Sequence, residues 1–216
     1  MPKRDNELLA SVIHVVGVFL AIAALVLMIV YAAKRGDANH IVGASIFGTT
    51  LVMLYAISSC YHFACKHGRF KSALKRLDDA STFLLLAGTY TPIALALPSK
   101  GWGWSIFGVT WGFALIGMIL KLRGKSIRPI VSWSIYGGLA IIVLLAAAPI
   151  ASSLPIEAFI WILLGSLFYR FGIVVFFLEK RFKIQRKFGW HELLHVLIIL
   201  GSFSHFWLMI NYVFYV

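Results

Sequence analysis

The chain has 216 residues, 61% of them hydrophobic and 13% charged, with a mean hydropathy of +0.89. A soluble domain carries about 45–50% apolar and about 25% charged residues, so this composition excludes an ordinary cytosolic enzyme, a disordered chain and a disulfide scaffold, and leaves an integral membrane protein. The net charge of +12 comes from basic residues in short segments between apolar runs. There is no basic stripe with interleaved aromatics, so nucleic acid is not expected, and the anticipated partners are membrane lipids with anionic headgroups.

Seven apolar runs follow one another along the chain, at 10–33, 41–63, 80–97, 102–120, 130–152, 155–178 and 190–214, each of 18 to 25 residues. About 20 helical residues cross a hydrocarbon core of about 30 Å. The runs lack the two-residue alternation of barrel strands. They therefore predict an all-α fold, a seven-transmembrane helix bundle occupying residues 1–216 as one domain. Lys3 and Arg4 precede the first run as they would a signal peptide, but the run exceeds a signal h-region of about 7–15 residues and reads as a retained span. Pro92 and Pro149 lie inside the third and fifth runs, where bends are expected and neighbouring helices can satisfy the freed carbonyls. No internal repeat is visible, so an inverted-repeat transporter has no support.

Seven spans place the N-terminus on the same side as the loops between spans 2–3, 4–5 and 6–7. That side carries sixteen Lys and Arg, and the other carries only Lys34, Arg35 and Lys100. The positive-inside rule then puts the N-terminus in the cytoplasm and the C-terminus outside, in a multi-pass protein of the inner (plasma) membrane. Trp102 and Trp104 at an outer end, with Trp133 and Trp190 near inner ends, fit an aromatic belt. Cys60 and Cys65 do not form Cys-x-x-Cys and read as two reduced thiols.

Ionisable residues at membrane depth are costly and point to function. Here they are His14, His62, Arg170, His191, Glu192, His195 and His205, with Asp78 and Asp79 at the mouth of span 3. Threading alone brings His62 (end of span 2), Asp78 (start of span 3) and His191 with His195 (first turns of span 7) to one depth. His191 and His195 are spaced i, i+4 and share a helix face, which is how one helix offers two nitrogens to one metal. Zinc prefers about four tetrahedral ligands, and catalytic sites keep one position for water. His62 supplies a third nitrogen, Asp78 can hold the water, and Ser58, one turn from His62, can contact the water or orient a ligand. Taken singly, His14 and His205 read as ordinary histidines bonded to water or lipid phosphate. His205 also falls within roughly 40° of the His191 stripe and so faces the bundle. His40 and His67 read as loop residues. Arg170, roughly 12 Å from the inner end of span 6 by helical rise, reads as structural or lipid-anchoring. Residues 191–195 also match H-E-x-x-H, in which Glu192 would be the base of a metalloprotease.

Three motifs stand in order on these spans: Ser58-Ser59-Cys60-Tyr61-His62, Leu77-Asp78 with Leu84-Leu85-Leu86-Ala87-Gly88-Thr89-Tyr90-Thr91-Pro92, and His191-x-x-x-His195. In this arrangement the sequence resembles the hemolysin III family, the bacterial branch of the progestin and adipoQ receptor family, over nearly the whole chain. The resemblance implies zinc held by His62, His191 and His195, with Asp78 reaching it through water and Ser58 as the family serine. Asp79 stands where many relatives have His. Glu7 and His14 match a polar pattern of the first helix, but its Asn position is Ala10. The family name implies haemolysis, eukaryotic relatives are hormone receptors with ceramide hydrolysis proposed for some, and a wider group of Ser/Asp/His membrane hydrolases includes alkaline ceramidases. The leading expectation is a zinc-dependent hydrolase of a lipid amide or ester at the cytoplasmic side, with Asp78 as base and Ser58 positioning. The alternatives are a non-enzymatic sensor or regulator of membrane state with structural zinc, a cytolysin, and the H-E-x-x-H protease. A cytolysin would first have to be soluble, which this composition forbids.

Overall fold

The computed structural model describes residues 3–64, 69–123, 135, 138, 147–181 and 189–215. Within the described residues the chain runs α1 (Lys3–Arg35), α2 (Ala38–Phe63), α3 (Arg69–Ala96), α4 (Lys100–Leu122), α5 (Ala147–Ala151), α6 (Ile156–Arg181), α7 (Trp190–Asn211) and a closing 3₁₀ turn, Val213–Tyr215. Five stretches, Leu8–Arg35, Ala38–Phe63, Lys100–Leu122, Ile156–Glu179 and Trp190–Tyr215, are long and apolar enough to cross a membrane. The protein is a multi-pass helical membrane protein. The predicted span 130–152 falls mostly outside the described residues, with α5 at its end.

α3 is not among those five because its membrane-depth half is unusually polar. Ser81, Thr89 and Thr91 are buried there. Their hydroxyls donate to the carbonyls of Asp78, Leu85 and Ala87, each at 2.8 Å. Trp111 of α4 donates its indole N–H to Thr91 Oγ1 at 3.0 Å. A helix surrounded by other helices need not be apolar towards lipid. By contrast, α1 turns Val12, Phe19, Leu20 and Val26 outward, and α4 does so with Leu115 and Ile116. α3 also begins at Arg69, well before the predicted span start at 80, because its first turns form a charged helical extension that periodicity in hydropathy does not reveal.

α1 packs on α2 and α7, α2 on α3, α3 on α4 and α7, and α6 on α7. Small residues make the close crossings, as is usual between membrane helices. A side chain on Gly43 of α2 would overlap the backbone of Pro92 in α3, and Gly165 of α6 and Gly201 of α7 each give room to an aromatic ring of the other helix, His205 and Tyr169 respectively. Half-way along, Tyr55 of α2 donates to Ser202 Oγ of α7 at 2.9 Å, and Tyr169 of α6 lies 3.1 Å from the same oxygen. His205 belongs to this layer. It is fully buried, its Nδ1 is 2.8 Å from Gly201 O, and its ring stacks on Tyr169. The face expected from the His191 stripe is correct, while the expected contact with water or lipid phosphate is not. Arg170 is half-buried on α6.

The contacts also show alternating helix direction. At one end, His191 at the start of α7 meets His62 at the end of α2 and Glu179 at the end of α6, and Lys121 at the end of α4 meets Asp79 near the start of α3. At the other end, the guanidinium of Arg35 lies over the rings of Tyr31 and Tyr215, and the His40 ring packs on Phe214. The chain ends therefore bear directly on the charge argument. A reporter fused at the N-terminus is expected to read cytoplasmic, and one fused after Val216 external. Finding both on one side would remove the seven-span threading.

Candidate metal centre

The site is built at the end of the bundle where α2 stops and α7 starts. Ser58 and His62 are both buried, one turn apart on α2. Lys71 of α3 caps this helix end by donating to Tyr61 O at 2.5 Å, with its ammonium 4.3 Å from the Tyr61 ring centroid. A cation is favourable there because the last carbonyls of a helix lack partners and carry partial negative charge. α7 opens after Gly189, with His191 in its first turn and His195 in the next.

These elements bring four imidazoles together. His62 Nε2 is 3.3 Å from His191 Nε2. His14 Nε2, from the second turn of α1's membrane segment, is 2.8 Å from His195 Nδ1. The rings of His62 and His195 are 5.2 Å apart, and those of His191 and His195 are 4.4 Å apart. His14, His62 and His195 are all buried, each offers a ring nitrogen within 4.8 Å of the others, and this group could hold a metal ion. His14 Nδ1 and His195 Nε2 are buried with no hydrogen-bond partner. Such orphaned groups are expensive, and a cation would satisfy them.

The separations test the fit to zinc. Two nitrogens on one tetrahedral zinc, each at about 2.0–2.1 Å, lie about 3.3–3.4 Å apart. The His62–His191 pair meets that value. The His14–His195 pair is closer and has the length of an N–H···N hydrogen bond, which engages Nδ1 of His195 and leaves its Nε2 open.

Asp78 and Asp79 diverge. Ser58 donates its hydroxyl to the Asp78 carboxylate, tying α2 to α3 beside the histidines. Asp79 turns instead to Lys75 and Lys121, at 3.6 and 3.5 Å, outside the cluster. Of the two carboxylates, Asp78 is the one that adjoins the site.

A family model described as "Haemolysin-III related" matches residues 3–206. The chain belongs to the haemolysin-III related family. It is similar to the Hemolysin-3 homolog of Bacillus subtilis (strain 168), with 30% identity over 208 residues covering 96% of this chain and 94% of that protein. It is also similar to Hemolysin-3 of Bacillus cereus, with 29% identity over 211 residues covering 96% and 92% of the two chains.

In this haemolysin-III related protein every residue singled out for the site in the sequence, His62, His191, His195, Asp78 and Ser58, lies at the same end of the bundle. Glu192, the base in the H-E-x-x-H reading, is engaged at the start of α7 through one of its two carboxylate oxygens. Its Oε2 accepts the Gly189 N–H at 2.7 Å and caps α7, and the side chain is almost fully buried. Two expectations need correction. His14 is not interfacial, because it is 1% exposed and hydrogen-bonded inside the bundle. The packing of α1 on both α2 and α7 puts its polar face inward, and the signal in the sequence was Ser11 three residues before His14, a polar pair on one face of an otherwise apolar run. Ser11 indeed donates to Ser59 O at 3.3 Å. His40 is not a loop residue, since it is buried in the first turn of α2, with Nδ1 2.8 Å from Asp37 Oδ1. Cys60 is exposed on α2. His67, Cys65 and Trp133 lie outside the described residues.

Proposed function

We propose that this protein is a zinc-dependent hydrolase of long-chain lipid amides or esters, working in the plasma membrane with its site at the cytoplasmic side. The observation that carries this reading is the buried histidine cluster placed against the Ser58–Asp78 pair. His62, His191 and His195 would hold the metal. The 3.3 Å separation of His62 and His191 and the unpartnered Nε2 of His195 support that set. Three nitrogens leave one tetrahedral position for a reactant, the arrangement of catalytic rather than structural zinc. The chemistry zinc supplies when bound is polarisation of a carbonyl and acidification of water to a pKa of about 7.

The rest falls to side chains. Asp78 takes the proton from the attacking water and delivers it to the leaving amine or alcohol. Ser58, by donating to the Asp78 carboxylate, fixes which oxygen faces the reaction. A site among membrane helices receives an acylated substrate from the surrounding lipid.

One observation favours a second reading. His14 is a fourth imidazole beside His62, His191 and His195, with its Nε2 2.8 Å from His195 Nδ1, and four nitrogens together would close a tetrahedral shell, which would suit a structural metal in a sensor or regulator of membrane state. The haemolysis in the relatives' names is the weakest reading for this chain, whose composition bars a soluble secreted stage.

The test uses purified protein in lipid nanodiscs, zinc-loaded or stripped with chelator, offered long-chain ceramides and acyl esters. Release of fatty acid by the zinc-loaded form alone is expected. No release across the panel would replace the hydrolase with the sensor.

A further inference from the structure

The last turn of α6 holds one carboxylate, Glu179, followed directly by Lys180 and Arg181. A helix C-terminus repels anions, so a glutamate there needs a compensating partner. Its Oε2 lies 3.2 Å from Nδ1 of His191, across the connection between α6 and α7. The other nitrogen of the same ring, Nε2, lies 3.3 Å from Nε2 of His62. The imidazole is thus held between a carboxylate on one side and a second imidazole nitrogen on the other. An N–H at Nδ1 directed to the carboxylate leaves the Nε2 lone pair pointing at His62. Without a metal, His62 can donate an Nε2–H to that lone pair, and a shared cation would replace this hydrogen bond with coordination by both nitrogens.

We propose that Glu179 is the positioning carboxylate of the metal centre, fixing the tautomer and ring orientation of His191. The inference rests on the assignment of His191 as a ligand and extends it to a residue that touches neither substrate nor metal. Carboxylate partners of ligating histidines act in this way by holding the proton on the far nitrogen and raising ligand basicity, and losing one typically costs about 10–100-fold in metal affinity. Glu179 also makes the site depend on α6, whose polar contacts at Ser166 and Tyr169 lie deeper in the bundle. Correct seating of the α6 C-terminus against α7 becomes a condition for tight metal binding.

The test compares full-length wild type, Glu179→Gln and Glu157→Gln, the last altering the only other acid of α6, in its first turn. Zinc affinity is read by competition with a chromophoric chelator, and the visible absorption bands of the cobalt-loaded protein are recorded in parallel. Expected are a loss of about 10–100-fold in affinity and altered cobalt bands for Glu179→Gln, with Glu157→Gln matching wild type. Glu179→Asp, which withdraws the carboxylate by one methylene, gives the same comparison if the glutamine variant does not fold. Unchanged affinity in a zinc-binding protein overturns the positioning role and leaves the zinc site standing. Weaker affinity with unchanged cobalt bands also overturns it, because a general electrostatic effect would then suffice. A wild type that binds neither metal overturns both this role and the zinc site.

Discussion

His62→Ala and His195→Ala are each expected to abolish zinc binding, taking the metal content of purified protein from about one per chain to near zero. Both residues belong to either candidate ligand set, so neither loss depends on which set is right. The other two histidines separate the sets. If His191 is the third ligand, His191→Ala empties the site while His14→Ala, which removes only the partner of His195 Nδ1, weakens affinity about 10–100-fold. If His14 is the third ligand, the two results exchange places. His40→Ala, altering a buried histidine at the opposite end of α2, leaves the metal content unchanged and controls for general damage to the bundle. Metal analysis of each variant purified without chelators reads the result. Full occupancy in a His191→Ala, His195→Ala double variant would end the proposed set.

Asp78→Asn should lower hydrolysis of a long-chain amide lipid by about 10²–10⁴-fold, the usual contribution of a general base, while zinc is retained at least in part. Asparagine keeps the shape and can still accept the Ser58 hydroxyl, so the loss isolates proton transfer. Asp79→Asn should leave activity near wild type, since that carboxylate is taken up by Lys75 and Lys121. Glu192→Gln should also stay within a few-fold, because its carboxylate caps α7 and a glutamine oxygen can accept the same N–H. The reverse pattern, with Glu192 essential and a membrane peptide cleaved, would establish the protease instead. Progress curves with zinc-loaded variants decide between them.

The helices that face lipid are legible in the sequence because lipid imposes one requirement on all of them, a continuous apolar surface about 20 residues long. α3 is harder to read. Its span appears at 80–97, yet the helix starts at Arg69, and nothing in the charged stretch Arg69–Arg76 marks it as helical by hydropathy. The ligand candidates are legible for a different reason. His62, Asp78, His191 and His195 all lie next to span ends whose side of the membrane follows from counting, so threading alone predicts that they meet. His14 escapes this logic: it lies as near its span end as His195 does, but it stands alone there with no second ligand-type residue one turn away, and only lateral packing decides whether its side chain faces lipid or protein. Glu179 escapes it because it stands among basic residues, where a carboxylate looks like an ordinary solvated charge. Its partner, twelve residues away in the chain, becomes its neighbour only where the end of α6 meets the start of α7.

Ser202 has a consequence for how the two halves of the protein fail. Its hydroxyl gives its proton to Ile198 O at 2.8 Å and is approached by the phenols of Tyr55 and Tyr169. A single oxygen atom thus fastens three helices at mid-depth, between the histidine end and the far end, where His40 packs on Phe214. Small zinc domains unfold without their ion because nothing else organises the chain. Here the clasp at Ser202 holds α2, α6 and α7 in place whatever happens at the histidines, so stripping the metal should loosen one end of the helix bundle and leave the other gripped.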